Sequence, residues 1–598
     1  MNEDLLIGLA CIVLLGVGAQ WLAWRIKLPS ILFLLIFGFI AGPITGFLRP
    51  DELLGKLLPP IVSISVAVIL FEGGLSLHFK ELREIGRAVR NLITIGALVT
   101  WVLAALAAHW FLNLNFNIAI LLGAILVVTG PTVTGPLLRH VRPIGRVGNI
   151  VKWEGITIDP VGAMLAVLVF EAIIAGEFQR ASAVVMVGIL KTIVAGLAVG
   201  LLGAALLVVL LKRYWVPDFL QETVTLMLVI VAFVASNHFQ GESGLFAVTL
   251  MGIALANQRI VTVKHILEFK ENLRILIISS LFILLSARLD ASDLRYVNLQ
   301  SLGFFAFLMF VARPVAVVIS SLGAKLSWKE QAFISWMAPR GIVAAAISSI
   351  FALRLSEVGL PQTEYLVPLT FMVIIGTVTI YGLTALPLAR WLNLAQSHPQ
   401  GLLIIGAHPW ARAMAKAVQQ EGFKVCLVDS NAHNAYSARM EGLPCLNGNI
   451  FGEHILDEIE LDGIGRLFAL TSNEEANSLA ALHFRELFGS AEVYQLTPEN
   501  TDNEEAPSTH HLRGRYLFGK NMSHSRISEL YSHGGVIKTT RLTKEFGYED
   551  FQQHYNKSAE PLLIIDEESR LQVVTSSEST PPRPGQTIIA LVPGAAVS

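Results

Sequence analysis

The chain has 598 residues, too many for one ordinary domain, and 53% of them are hydrophobic while only 15% carry charge. Soluble domains average about 25% charged residues, so the composition excludes a purely soluble protein, and a formal net charge of −2 gives no hint of a nucleic-acid partner. Three cysteines, Cys11, Cys426 and Cys445, build neither a disulfide framework nor a zinc site.

From residue 5 to about 392 the sequence is a series of apolar stretches, and a helix needs about 20 such residues to cross a bilayer. Thirteen spans are expected, near 4–24, 28–48, 58–77, 91–112, 116–138, 147–175, 183–211, 219–237, 244–257, 273–288, 299–322, 330–353 and 363–389. The opening Met1-Asn2-Glu3-Asp4 has no basic segment, so the first span reads as a retained helix rather than a cleaved signal. Lys and Arg gather after the odd-numbered spans: Arg25 and Lys27; Lys80, Arg83, Arg87 and Arg90; Arg139, Arg142 and Arg146; then Arg259. Basic loops stay on the cytoplasmic side. The bias puts the N-terminus outside and the charged tail in the cytosol.

Polar groups at membrane depth carry the information, because an ionisable side chain there costs several kcal/mol unless paired or hydrated. Five stand out: Glu72 in the third span, Glu154 and Asp159 in the sixth, Arg313 in the eleventh and Arg340 in the twelfth. Glu154 and Asp159 are five positions apart and diverge by about 140° around a helix, so they need different partners. Helix breakers sit at depth in two spans, Thr129-Gly130-Pro131-Thr132-Val133-Thr134-Gly135-Pro136 in the fifth and Ala338-Pro339-Arg340-Gly341 in the twelfth. Unwound backbone survives in a bilayer only inside protein or beside a cavity. Counted about the seventh helix, both are penultimate in a six-helix half. Such matched interruptions point to inverted repeats and a midplane transport site.

At these residues the chain resembles the NhaP-like and eukaryotic sodium/proton exchangers of the monovalent cation/proton antiporter superfamily. The likeness rests on Phe71-Glu72-Gly73-Gly74-Leu75, Thr129-Gly130-Pro131, Glu154-Gly155-Ile156-Thr157-Ile158-Asp159-Pro160 and Pro339-Arg340-Gly341. It implies that Asp159 binds metal cation and proton in turn, with Thr129, Glu72 and Gly155 at the same site. It also implies a scaffold ion pair between Glu154 and Arg340, with Arg313 nearby. Three departures remove oxygen ligands: Ile158 stands for the family's Asn, Gly130 for its Asp and Gly155 for a frequent Ser. Sodium and potassium both stay open. A carboxylate in a dry pocket takes either a proton or a cation, and a single such group gives electroneutral exchange.

In the tail, the apolar run 401–405 leads into Gly406-Ala407-His408-Pro409-Trp410-Ala411, a helix-like 413–420 and a second strand ending at Asp429. This is the spacing of a dinucleotide-binding βαβ unit, with His408 and Ala411 in place of the second and third glycines. With Gly448-Asn449 and the segment opening at Thr471, residues 400–497 resemble the RCK (TrkA-N) regulatory domain. The resemblance implies an adenine nucleotide (AMP, ATP or NAD(H)) held by Gly406, His408, Ala411, Asp429 and Thr471. Residues 499–530 read as polar loop, within a last segment 498–598 that ends in a small β-rich module.

The expected architecture is a helical membrane domain over 1–392, an α/β Rossmann-like domain and that module, in a homodimer in a bacterial inner membrane. The alternative is a potassium channel or efflux system gated by such a tail, and a channel of that kind would need a carbonyl filter like Thr-Val-Gly-Tyr-Gly. No such string occurs.

Overall fold

A computed structural model describes residues 2–594 apart from 27, 142, 175–177, 242, 259, 262–263, 290, 396–399, 453–454, 456–458, 460–462, 500–512, 520–521 and 577–580. Lys27, Arg142 and Arg259, three of the loop charges used for orientation, thus lie outside the described residues. The chain divides into two compact units, Met1–Ala395 and Gln396–Ser598.

The first unit is built of helices. They run α1 (Asn2–Ile26), α2 (Ser30–Phe39), α3 (Pro50–Leu54), α4 (Leu58–Leu75), α5 (Leu82–Asn91), α6 (Ala97–Leu112), α7 (Phe116–Ile125), α8 (Pro131–Val141) and α9 (Arg146–Ile174). Then come α10 (Phe178–Lys212), α11 (Gln221–Phe239), α12 (Ser243–Asn257), α13 (Lys264–Ala287), α14 (Leu299–Phe307), α15 (Arg313–Ser320), α16 (Trp328–Trp336), α17 (Ile342–Glu357) and α18 (Leu366–Trp391). Among the described residues eight helices are long and apolar enough to cross a membrane, and four shorter ones are apolar. Their outer faces keep large apolar side chains exposed, Leu14, Trp21 and Leu202 among them, as lipid-facing helices do.

The fifth expected span is split into α7 and α8, with residues 126–130 unwound between them. The twelfth is split into α16 and α17 by the unwound 337–341. Pro131 and Pro339 lack the amide hydrogen a continuous helix would use there. Pro314 has the same effect more mildly: the chain passes from α14 through a π-turn, Leu308–Ala312, into α15, whose first residue is Arg313.

The second unit holds two sheets. The first is parallel, ordered β3 (Cys445–Asn447), β2 (Val425–Asp429), β1 (Gly401–Ile405), β4 (Ile464–Ala469), β5 (Val493–Gln495) and β6 (Arg515–Tyr516). This doubly wound order reverses direction between β1 and β4, where such folds bind ligands. Helices α19 (Pro409–Gln420), α20 (Ala432–Met440) and α21 (Glu474–Phe488) accompany it. Cys445 pairs with Leu427, one residue past Cys426, so the two thiols lie on opposite faces of the sheet and neither is in a disulfide.

The second sheet is antiparallel, ordered β7 (Val536–Arg541), β10 (Thr587–Val592), β8 (Glu560–Ile565) and β9 (Leu571–Val573), with α22 (His524–Ser532) and α23 (Tyr548–His554). Two corrections follow. The polar stretch expected as loop over 499–530 carries β6 and the start of α22, because Arg515 and Tyr516 complete the parallel sheet through backbone pairing that composition does not reveal. The boundary expected at 497 therefore precedes the last strand of the first sheet.

Candidate functional site

The two interruptions meet at a pair of glycines. A Cβ on Gly130 would lie 2.5 Å from the Cα of Gly341, and one on Gly341 equally close to the Cα of Gly130. Only two residues without side chains allow the backbones this approach. The four half-helices α7, α8, α16 and α17 thus end or begin at one crossing.

Helix α9 lies against that crossing through a second pair of glycines. A Cβ on Gly155 would come within 2.7 Å of Thr134 Oγ1, and one on Gly162 within 2.5 Å of Val128 Cγ2. Gly155, Asp159 and Gly162 follow an i, i+4, i+7 spacing and share one helix face. Asp159 therefore stands level with the break, between the two contacts. Both of its carboxylate oxygens are buried without a hydrogen-bond partner, and so are the hydroxyls of Thr129 and Thr132. A buried, unpartnered carboxylate costs several kcal/mol. Four such oxygens around one crossing are a donor set suited to a dehydrated monovalent cation. Of these, Thr132 escaped the sequence reading; its signal was a second threonine within the same breaker motif. Gly155 and Gly130 contribute closeness rather than ligands. Ile158 packs into an apolar cluster with Ala97 and Val127.

The expected pairing of Glu154 with Arg340 is not what the structure contains. Glu154 is held by Arg313, whose Nη1 and Nη2 donate to its two carboxylate oxygens at 2.5 and 2.8 Å, a bidentate geometry suited to guanidinium. Arg313 Nη2 also donates to the carbonyl of Ile334 near the C-terminal end of α16. Arg340 Nη1 instead donates to the carbonyls of Val127 and Val128, at 3.0 and 3.3 Å, in the unwound segment after α7. The reason is local. The end of a broken helix leaves carbonyls without amide partners, and the arginine nearest each end supplies the donors. Each buried arginine thus serves one half-helix, and only Arg313 reaches a carboxylate.

Glu72 sits near the C-terminal end of α4, and Arg274 Nη1 donates to its Oε1 at 2.7 Å. The pair lines a cavity of about 540 Å³ that also touches Ser76, Thr132, Thr134, Asn149 and Lys152. The cavity reaches the break at Thr132, and Asp159 is not among its described lining residues.

In the tail, Gly406 takes φ +103 at the end of β1, a left-handed conformation that favours glycine. Asp429 at the end of β2 accepts from the amide of Ala407 at 2.7 Å, the amide of Asn431 and the side chain of Asn434. Thr471 Oγ1 bonds to Asn477 at 2.7 Å, and Ala411 is buried in α19. The ring of His408 folds back over Gly406 and packs on Trp410 and on His524 of α22, with centroids 4.5 and 4.8 Å away. Burial first, and His524 second, push the His408 imidazole down to about 3, and burial lowers His524 too. His524 was not anticipated, because nothing in sequence spacing ties α22 to the Gly406 turn.

Comparison with known proteins identifies the family of the helical unit and the first domain of the tail. The family model for the sodium/hydrogen exchanger, transmembrane, matches residues 9–391, and that of the TrkA-N domain matches residues 402–506. The K(+)/H(+) antiporter NhaP of Alkalimonas amylolytica is 30% identical over 385 residues, 64% of this chain. The chain spans 65% of that relative's length. Na(+)/H(+) antiporter 1 of Methanocaldococcus jannaschii is 27% identical over 65% of this chain and 93% of its own. The solved sodium proton antiporter MjNhaP1 of the same organism shares the fold, with a TM-score of 0.56 at 24% identity, over 65% of this chain and 99% of that one.

Proposed function

The chain belongs to the sodium/hydrogen exchanger family and carries a TrkA-N domain, and on that premise we propose that it exchanges a monovalent cation for protons by alternating access at Asp159. The observation that carries the proposal is the set of four buried, unpartnered oxygens of Asp159, Thr129 and Thr132 at the crossing of two broken helices. Asp159 holds a proton or a cation, and the two hydroxyls replace part of the cation's hydration. Mutual exclusion at one carboxylate yields antiport without a separate coupling device.

Glu154 is neutralised by Arg313, so one exchangeable carboxylate remains, and the stoichiometry is one cation for one proton. The three positions that would add side-chain oxygens are Gly130, Ile158 and Gly155. A site so sparing in ligands suits potassium, the larger and less strongly hydrated ion, ahead of sodium.

The cavity at Glu72 is the cytosolic access path, consistent with the basic loops on that side. The half-helices and α9 move as a body against the other helices in each cycle, in a homodimer of thirteen-span protomers related internally by inverted repeats. The membrane is a bacterial inner membrane, with the N-terminus outside.

The tail regulates transport through an adenine nucleotide at the β1–β4 switch point, near Gly406 and Asp429. The His408 ring lies over Gly406 and packs on His524 of α22, so a phosphate at that turn requires these rings to yield. Proton flux in vesicles, read with a pH dye under imposed potassium or sodium gradients and a clamped potential, tests the transport reading. Flux that follows the potassium gradient and ignores the potential is expected; flux carried as current with no proton movement would mean a channel.

A further inference from the structure

A second cavity, of about 620 Å³, lies between α1, α8 and α13 and has no place in the exchange cycle above. Among its described lining residues are Arg25, His140 and Arg274 and no carboxylate, together with the apolar Trp24, Ile275 and Ile278. Its volume is that of a small-molecule site. Around it Trp21, Trp24, Ile275 and Leu276 are exposed large apolar residues, so its rim is greasy while its lining is cationic. An aromatic residue beside a basic one at a helix end is the usual arrangement at a lipid headgroup layer.

We infer that this cavity binds the phosphate headgroup of an anionic phospholipid, and that the lipid acts on cation access through Arg274. Charge and hydrogen-bond complementarity select the headgroup, since a phosphodiester bearing net negative charge meets two guanidinium groups and a hydrogen-bonding imidazole, with no carboxylate among the described lining residues. The apolar rim selects a lipid over free phosphate, because acyl chains cover Trp24 and Ile275 while the headgroup enters.

The functional link is that Arg274, Pro136 and Ile278 line both this cavity and the one at Glu72. Arg274 is the donor that ties Glu72 down. A lipid phosphate drawing on the same guanidinium loosens that tie and leaves the Glu72 carboxylate freer to attract cations into the path. This second step rests on the access role given to the Glu72 cavity; the binding step does not.

The test separates the two. Native mass spectrometry of the purified full chain would count bound phosphatidylglycerol and phosphatidylcholine, with inorganic phosphate as a third probe. Phosphatidylglycerol should be retained in preference to phosphatidylcholine, and inorganic phosphate should not displace it. Arg25→Gln should weaken the retention about fivefold, as expected for one charge near an anionic headgroup, and His140→Gln serves as an independent second variant. Asp159→Asn should keep the full preference, because lipid binding does not depend on ion exchange. In vesicles, phosphatidylglycerol added to phosphatidylcholine should lower the cation concentration for half-maximal exchange. Equal retention of the two lipids, displacement by inorganic phosphate, or a preference untouched by both variants would overturn the site. An unchanged half-maximal cation concentration would overturn the link through Arg274.

Discussion

Arg313 and Arg340 are both buried arginines among half-helices, yet they answer to different partners, and that difference is measurable. Arg313→Gln leaves the Glu154 carboxylate buried without its counter-charge, which costs about 3–5 kcal/mol. The double variant Glu154→Gln with Arg313→Gln should recover part of the loss in thermal melts. Glu154→Gln combined with Arg340→Gln should give additive losses instead, since those two side chains share no hydrogen bond in the structure. Coupling of the second pair rather than the first would contradict the pairing described. A second residue-scale expectation concerns the missing oxygens. Gly130→Asp cannot restore a ligand, because its Cβ would fall 2.5 Å from Gly341 Cα. It should lower expression and melting temperature rather than shift ion preference. Ile158→Asn puts an amide among Ala97 and Val127 and should cost about 1–3 kcal/mol. Recovery of a well-folded, sodium-preferring double variant would show that the crossing is looser than the glycine contacts imply.

At the scale of elements, much of the membrane unit was legible because proline and glycine announce where a helix must open. Pro131, Pro339 and the two glycines marked both breaks, and apolar length marked the eight long helices found among the described residues. What the sequence could not convey was which side chains those breaks recruit. Partner choice between Arg313 and Arg340 depends on which carbonyl ends lie nearest, a three-dimensional fact with no periodic signature. Arg274 and His524 were missed for the same reason. Within the tail, the βαβ spacing revealed the fold, while the packing of His524 from α22 against His408 did not show. The contact has a pH signature. His408 has its pKa near 3 in the folded tail against 6.5 when unfolded, so the folded state binds fewer protons. The stability this contact contributes is complete above about pH 6.5 and drains away as pH falls toward 3. Hydrogen exchange of the intact chain, corrected for intrinsic rates, should show β1 and α22 losing protection between pH 7 and 5. His408→Gln should flatten that dependence, and an unaltered slope would remove His408 as its origin.

For the molecule as a whole, the proposed regulation requires a ligand that binds the tail's conformations unequally. On the proposed reading, AMP, ATP or NAD(H) displaces the His408–His524 contact and competes with the Ala407 amide for Asp429. His524→Ala should therefore raise nucleotide affinity in calorimetry on the full chain, and Asp429→Ala should lower it. Heat that is absent in wild type and in both variants would make the tail a structural element with no nucleotide. The larger claim is that a single carboxylate at the crossing of two broken helices carries the exchange. It is tested most directly by cation-driven proton flux in vesicles containing Asp159→Asn beside the wild type, with melting temperature and particle size measured on the same preparations. Exchange should vanish while folding and assembly stay as in the wild type. Flux at the wild-type rate in the variant would contradict the account.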